Sequence, residues 1–354
     1  EWESALQYFE KALEIEPNLA EAHSNLGGTL QELGRLDEAE ASYTQAIALK
    51  PDYAEAHCNL GNTLKELGRL DEAEASYTEA VALKPDFAGA HSNLGGTLQE
   101  LGRLDEAESS LRQAIALKPG YAADHSNLGC TLQELGRLDE AEASLRQAIA
   151  LKPDFVEAHY NLGNALKELG RLDEAEASYT QGVALKPDFA GAHCNLGVTL
   201  QELGRLDEAE ASYTQAIALK PDYAEAHNSL GNTLKELGRL DEAEARYTKA
   251  IALKPDLAGA HNNLGGMLQE LDRLDEAEAS LRQAIALKPD FVDAHCNLGN
   301  ALKELGRLDE AEASYTQGVA LKPDFAGAHC NLGVTLQELG RLDEAEASLR
   351  QAIA

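Results

Sequence analysis

The chain has 354 residues, 44% of them hydrophobic but only 5% aromatic, and its 30 basic side chains face 61 acidic ones, a formal charge of −31. Alanine and leucine supply most of the apolar share, the composition of a helical array with enough material for a large core. A field of that sign repels phosphate backbones and anionic lipid heads, which excludes nucleic acid and membrane surfaces as partners, and no apolar run approaches the roughly 20 residues of a membrane span.

Taken in chain order, residues 1–19 predict the second helix of a partial hairpin, with Trp2, Leu6, Phe9 and Leu13 at helical spacing. From there prolines recur every 34 residues, from Pro17 to Pro323, and histidines do the same from His23 to His329. A fixed period of this length marks a repeat array. With position 1 placed at Ala20, nine complete repeats cover 20–325 and a partial one covers 326–354, so the expectation is a single solenoid domain over 1–354.

Each repeat reads as two helices. In the unit that starts at Ala54, Ala56, Leu60, Leu64 and Leu67 recur at helical spacing and stop at Gly68, a residue suited to the left-handed end of a helix. Asp71 precedes Glu74 by three residues, which predicts a capping box at the start of the second helix. That helix is expected to bury Ala73, Tyr77, Ala80, Val81 and Leu83 and to end at Lys84-Pro85, with Asp86 capping the next unit. One hairpin cannot bury both of its faces, so neighbouring hairpins must stack to complete the core.

Leu60, Gly61, Ala73, Tyr77, Ala80 and Pro85, repeated along essentially the whole chain, resemble the tetratricopeptide repeat family. The departures are His57 where that family usually has tryptophan, Leu64 where it usually has tyrosine, and Asp272 in place of one turn glycine. The resemblance implies an all-α, right-handed superhelical solenoid of 34-residue helix-turn-helix repeats. It also implies that the polar stripe of the first helices lines a concave groove.

Little in the chain points to catalysis. The five cysteines, Cys58, Cys130, Cys194, Cys296 and Cys330, are far apart and form no C-x-x-C pair, so neither a disulfide framework nor a zinc site follows. The ten histidines share one repeat position. Equivalent positions in stacked hairpins lie roughly 10 Å apart, too far to share an ion, and packed neutral rings are the expectation. No enzyme activity, metal or cofactor is expected.

Repeat positions 2, 5, 9 and 12 vary most, and with position 6 they fall on one polar face of the first helix. Position 6 is an asparagine ladder: Asn25, Asn59, Asn93, Asn127, Asn161, Asn195, Asn263, Asn297 and Asn331, broken only by Asn228-Ser229. An amide offers donors and an acceptor, so a regular series can pair with an extended peptide backbone without reading its side chains. The series is similar to the asparagine ladder of the tetratricopeptide domain of O-linked N-acetylglucosamine transferase and to similar bacterial repeat proteins, which implies a polypeptide ligand. No glycosyltransferase sequence accompanies it. Four repeats add an acid, Asn and Lys at positions 2, 9 and 12: Glu55, Asn62 and Lys65; Glu157, Asn164 and Lys167; Glu225, Asn232 and Lys235; Asp293, Asn300 and Lys303. These are candidate groove-specificity residues, although duplication of a two-repeat unit would leave the same pattern.

The expected function is therefore a protein-interaction scaffold that binds extended polypeptide. Two alternatives stay open: a structural solenoid assembling end to end as a homo-oligomeric filament, because neither end carries a polar capping helix, and a substrate-recruiting segment of a larger transferase. The compartment is unassigned: cytoplasmic for a scaffold inside the cell, extracellular for a filament.

Overall fold

The repeat at Ala54 folds into a first helix, Ala54–Glu66, and a second, Leu70–Leu83. The same pair recurs at 34-residue steps, from Ala20–Glu32 with Leu36–Leu49 to Ala326–Glu338 with Leu342–Ile353, preceded by the helix Trp2–Ile15. The computed structural model describes residues 2–353, with no strand among them. These residues group into two compact units, up to Leu185 and from Lys186. Each unit is an all-α stack of helix-turn-helix repeats.

The turn inside each hairpin follows from one glycine. Gly68 has φ +75°, its N–H donates to the Lys65 carbonyl, and the Arg69 N–H reaches back to the Leu64 carbonyl, both at 2.9 Å. Together these bonds satisfy carbonyls that the helix end leaves free. Asp272 holds the same turn at φ 59°, a conformation that aspartate tolerates better than most residues.

This turn overrides the expected caps. It places Arg69 at the N-cap with no side-chain cap bond, so the second helix starts at Leu70, and Asp71 lies inside it rather than before it. Asp71 and Glu72 then sit in the first turn, favoured by the positive helix end. Asp86 does not cap the next helix either: Phe87 is the N-cap residue, and Asp86 contributes only its backbone carbonyl, to the Ala88 N–H. Leu83, expected in the core, is 37% exposed.

The core repeats one contact. Tyr77 is buried with its ring against the backbone of Gly61, where an added β-carbon would come within 2.6 Å of a ring atom. Ala73 and Ala80 are fully buried on either side of that ring along the helix. Gly61→Ala sets two effects against each other: a gain of about 1 kcal/mol in helix propensity and an overpacking cost of typically 1–3 kcal/mol. A buried aromatic ring yields poorly, so overpacking should win. The expected result is a lower thermal midpoint, and an unchanged or raised midpoint would contradict this packing.

Within each unit, every second helix packs on the first helix of the following repeat, as Leu70–Leu83 does on Ala88–Glu100. The backbones of first helices of successive repeats within a unit also approach one another, whereas among the described residues those of second helices do not and are bridged only by long side chains, as Arg112 bridges to Glu140. The stack therefore closes more tightly on the first-helix side, where the polar stripe lies.

Candidate functional site

On that side the ladder asparagines are half-buried, apart from the exposed Asn25. The backbone beneath them is held in part by threonines one turn on. The Thr63 hydroxyl donates to the Asn59 carbonyl at 3.1 Å and the Thr131 hydroxyl to the Asn127 carbonyl at 2.9 Å.

Many ladder amides are already engaged with the preceding repeat. The Asn93 amide donates to Asn62 Oδ1 at 2.8 Å and Asn331 to Asn300 Oδ1 at 3.0 Å. Asn263 and Asn297 donate to Asn228 and Asn262 at 3.1 and 3.0 Å, and Asn161 donates to Cys130 Sγ at 3.0 Å. Asn161, Asn297 and Asn331 keep the oxygen and a second N–H, whereas Asn93 also donates to Cys58 Sγ at 3.8 Å and the Asn263 oxygen accepts from Asn262 at 3.5 Å. Asn25, Asn59 and Asn127 make no side-chain bond among the described residues and present the whole amide.

The acid, Asn and Lys triplets divide their work. Position 9 serves the core: Asn62, Asn164, Asn232 and Asn300 each accept the hydroxyl of a buried tyrosine, Tyr77, Tyr179, Tyr247 and Tyr315, at 2.6–2.8 Å. Burial pushes the hydroxyls of Tyr77, Tyr247 and Tyr315 up, which keeps them protonated donors. Where leucine replaces the tyrosine, as at Leu111, Leu145 and Leu281, position 9 is Gly96, Cys130 or Gly266. In the two remaining tyrosine repeats, Gln31 and Gln201 from position 12 accept the hydroxyl instead, at 3.4 and 3.2 Å. The alternation along the stripe thus follows, in part, how each tyrosine hydroxyl is satisfied.

Positions 2 and 12 stay on the surface. Glu55 pairs with Lys84 and Glu225 with Lys254, both at 2.8 Å, and these lysines hold the two carboxyls below the usual carboxylate range. Lys65, Lys235 and Lys303 reach the glutamate at position 13 of the next repeat, Glu100, Glu270 and Glu338, at 2.7–3.0 Å. Gln99 and Gln269 make the same link to Glu134 and Glu304, at 2.7 and 2.6 Å. Lysine and glutamine are therefore equivalent as inter-repeat donors and differ in the charge they present. Glu157 and Asp293 lie exposed on this face and Lys167 half-buried.

Between the first helices these residues line cavities. One of about 360 Å³ brings together Lys65, Gln99 and Asn127; another of about 550 Å³ has Cys130, Gln133 and Asn161; a third, in the other unit, of about 340 Å³ has Lys235, Asn297 and Asn300.

The histidines hold the loops between repeats. Each Nε2 lies 2.9–3.2 Å from the carbonyl of the proline six residues before it, as His57 does with Pro51 and His227 with Pro221. A carbonyl only accepts, so the proton sits on Nε2. The invariant offset of six from proline to histidine was the sequence signal for this bond, and the spacing argument about metals missed it. At buried His227, Nδ1 has no partner among the described residues, and burial lowers the ring's pKa, opposed by the Pro221 bond. A depressed folded value means that His227 contributes its full stability above the unfolded pKa near 6.5 and loses it as pH falls through the folded value. NMR titration should place this ring below 6.5, and a value at or above it would contradict the burial argument.

Sequence reasoning also missed an ionic ladder on the second helices. Arg69 binds Glu72 of its own repeat and Glu40 of the one before, both at 2.6 Å, and Arg273 does the same with Glu276 and Glu244. The string Arg-Leu-Asp-Glu-Ala-Glu in successive repeats was its signature. Among the described residues no helix is long and apolar enough to cross a membrane. Burial pushes the thiols of Cys58, Cys130 and Cys296 up to about 11.

Family models match along the chain. That of the cilia and flagella-associated protein 70 C-terminal domain covers residues 1–196, and tetratricopeptide repeat models cover 188–256, 267–306, 299–340 and 327–354. No curated protein matches. Among solved structures, the chain is similar to YrrB, described as a tetratricopeptide repeat protein with an unusual peptide-binding site. The two are 27% identical over 52% of this chain and 95% of that one, with a TM-score of 0.45. It is similar to MamA at 25% identity over 47% and 97% of the two chains, TM-score 0.44. A chain of the Cut9–Hcn1 hetero-tetramer of the APC/C shares the fold over 99% of this chain and 90% of its own, at 14% identity and TM-score 0.56. With a repeat model over more than half its length and the same hairpin throughout, the chain belongs to the tetratricopeptide repeat family.

Proposed function

We propose that this chain is a protein-interaction scaffold that holds an extended polypeptide along its first-helix face through the asparagine ladder. Tetratricopeptide repeat proteins generally act as protein-interaction scaffolds, and the fold is in general non-catalytic. The observation that carries the finer reading is that ladder asparagines line the cavities between first helices, as Asn127, Asn161 and Asn297 do. Amides at a fixed step suit a backbone, which offers N–H and C=O groups whatever its side chains. The lysines and glutamates at positions 12 and 13 then flank the ligand and bias its charge.

Fluorescence anisotropy with unstructured peptides of varied sequence and equal net charge tests this. Saturable binding that tolerates side-chain changes but is lost when the peptide backbone is N-methylated is the expected result. Affinity indifferent to N-methylation would remove the ladder from the mechanism.

A further inference from the structure

One repeat departs from its neighbours at two places. Position 3 is alanine in the other nine repeats, as at Ala56, Ala90 and Ala158, but is Asp124 in the repeat that starts at Ala122. The loop just before it has Gly120 where the loops on either side have Asp86 and Asp154. An acid is thus absent from an exposed loop and present at a position that is 1% exposed.

Asp124 lines a cavity of about 350 Å³ on the first-helix face. The Ser92 hydroxyl donates to its Oδ1, and burial pushes its carboxyl up. One hydroxyl donor leaves most of a carboxylate's acceptor capacity unfilled, which is costly in a desolvated place. Asn93, in the same wall, spends its amide hydrogens on Asn62 and Cys58, and its Oδ1 accepts no bond among the described residues. Phe87, Ala88 and Tyr121 supply apolar wall. Gly89 lines the cavity too and adds no side chain to it. Gly89 also stands where the previous repeat has Glu55, the partner of Lys84. Lys118, the counterpart of Lys84, sits over the Tyr121 ring, 5.1 Å from its centroid, as Lys84 does over Phe87, but has no glutamate at the place of Glu55.

We propose that this cavity receives a basic side chain of the bound polypeptide, its charge against Asp124 and the Asn93 oxygen, its methylenes between Phe87 and Tyr121. A long cationic side chain matches both parts of the wall, an apolar stem and a charged tip. The inference rests on the polypeptide reading of the groove and assigns it one selective pocket. Lys118, which also lines the cavity, competes weakly for the same carboxylate.

The test is NMR titration of the full chain with N-acetyl-lysine methylamide and with N-acetyl-norleucine methylamide, its uncharged isostere. The expected result is saturable shifts at the amides of Gly89, Ser92 and Asp124 with the lysine compound. Binding should be about tenfold or more weaker with norleucine and in Asp124→Ala, since a charge-assisted hydrogen bond is then lost. That variant carries the alanine of the other nine repeats, so it should fold normally. Lys118→Ala should strengthen binding. No saturable shift at these amides, equal binding of norleucine, or an unaffected Asp124→Ala chain would overturn the proposal. Peptides that bind in the N-methylation assay while this titration fails would leave the groove and remove the pocket; the reverse outcome would leave the pocket and remove the groove.

Discussion

Tyr77→Ala should destabilise its repeat by about 3–5 kcal/mol, the usual cost of deleting a fully buried aromatic side chain. Tyr77 is 1% exposed and fills the space above Gly61, which has no side chain to relax into the cavity. The loss also unhooks a chain of bonds, from the Tyr77 hydroxyl to Asn62 at 2.7 Å and from Asn93 of the next repeat to the same oxygen at 2.8 Å. Tyr77→Phe removes only the hydroxyl and should cost about 0.5–1.5 kcal/mol. Tyr77→Leu combined with Asn62→Gly rebuilds the pairing found naturally as Leu111 with Gly96. It should cost less than the sum of the two single changes, by about 0.5–3 kcal/mol of coupling. Because repeat arrays unfold in pieces, hydrogen exchange of amides in 54–87 is the appropriate readout. Strict additivity would mean that the tyrosine and the position-9 residue are independent.

Replacing Asn25, Asn59 and Asn127 together with alanine should weaken binding of an unstructured polypeptide while leaving helicity and stability nearly unchanged. These three make no side-chain bond among the described residues, so their loss disrupts no inter-repeat link. At about 0.5–1.5 kcal/mol per hydrogen bond, the combined loss is about 1.5–4.5 kcal/mol, or about tenfold to a thousandfold in Kd. Asn93, Asn297 and Asn331 form a contrasting set, because each donates to the preceding repeat and its removal should lower stability as well. Unaltered affinity in the first set, measured by anisotropy with the same peptide, would return the ladder to a solvated polar face.

The hairpins were legible because their punctuation is chemical. Gly68 and its equivalents require positive φ, Pro85 ends the second helix, and both recur at the same step. The caps were misread because Asp71 and Glu74 have capping-box spacing, whereas the turn built on Gly68 brings Arg69 to the cap first. Position 9 was ambiguous for a geometric reason: it lies at the edge of the polar stripe, half-buried, and an asparagine there can face either the groove or a tyrosine hydroxyl. The co-occurrence of Asn62, Asn164, Asn232 and Asn300 with tyrosine later in the same repeat was the clue. Asp124 was not singled out from the sequence; its burial and its cavity needed the neighbouring hairpins in place.

A crystal structure of the chain with a bound unstructured polypeptide tests the scaffold reading most directly. The expected result is an extended backbone on the first-helix face, its N–H and C=O groups within hydrogen-bond distance, about 2.7–3.2 Å, of the Asn25, Asn59 and Asn127 amides. A polypeptide seated on the second helices, or one held by side-chain pockets with no contact to the ladder, would contradict it.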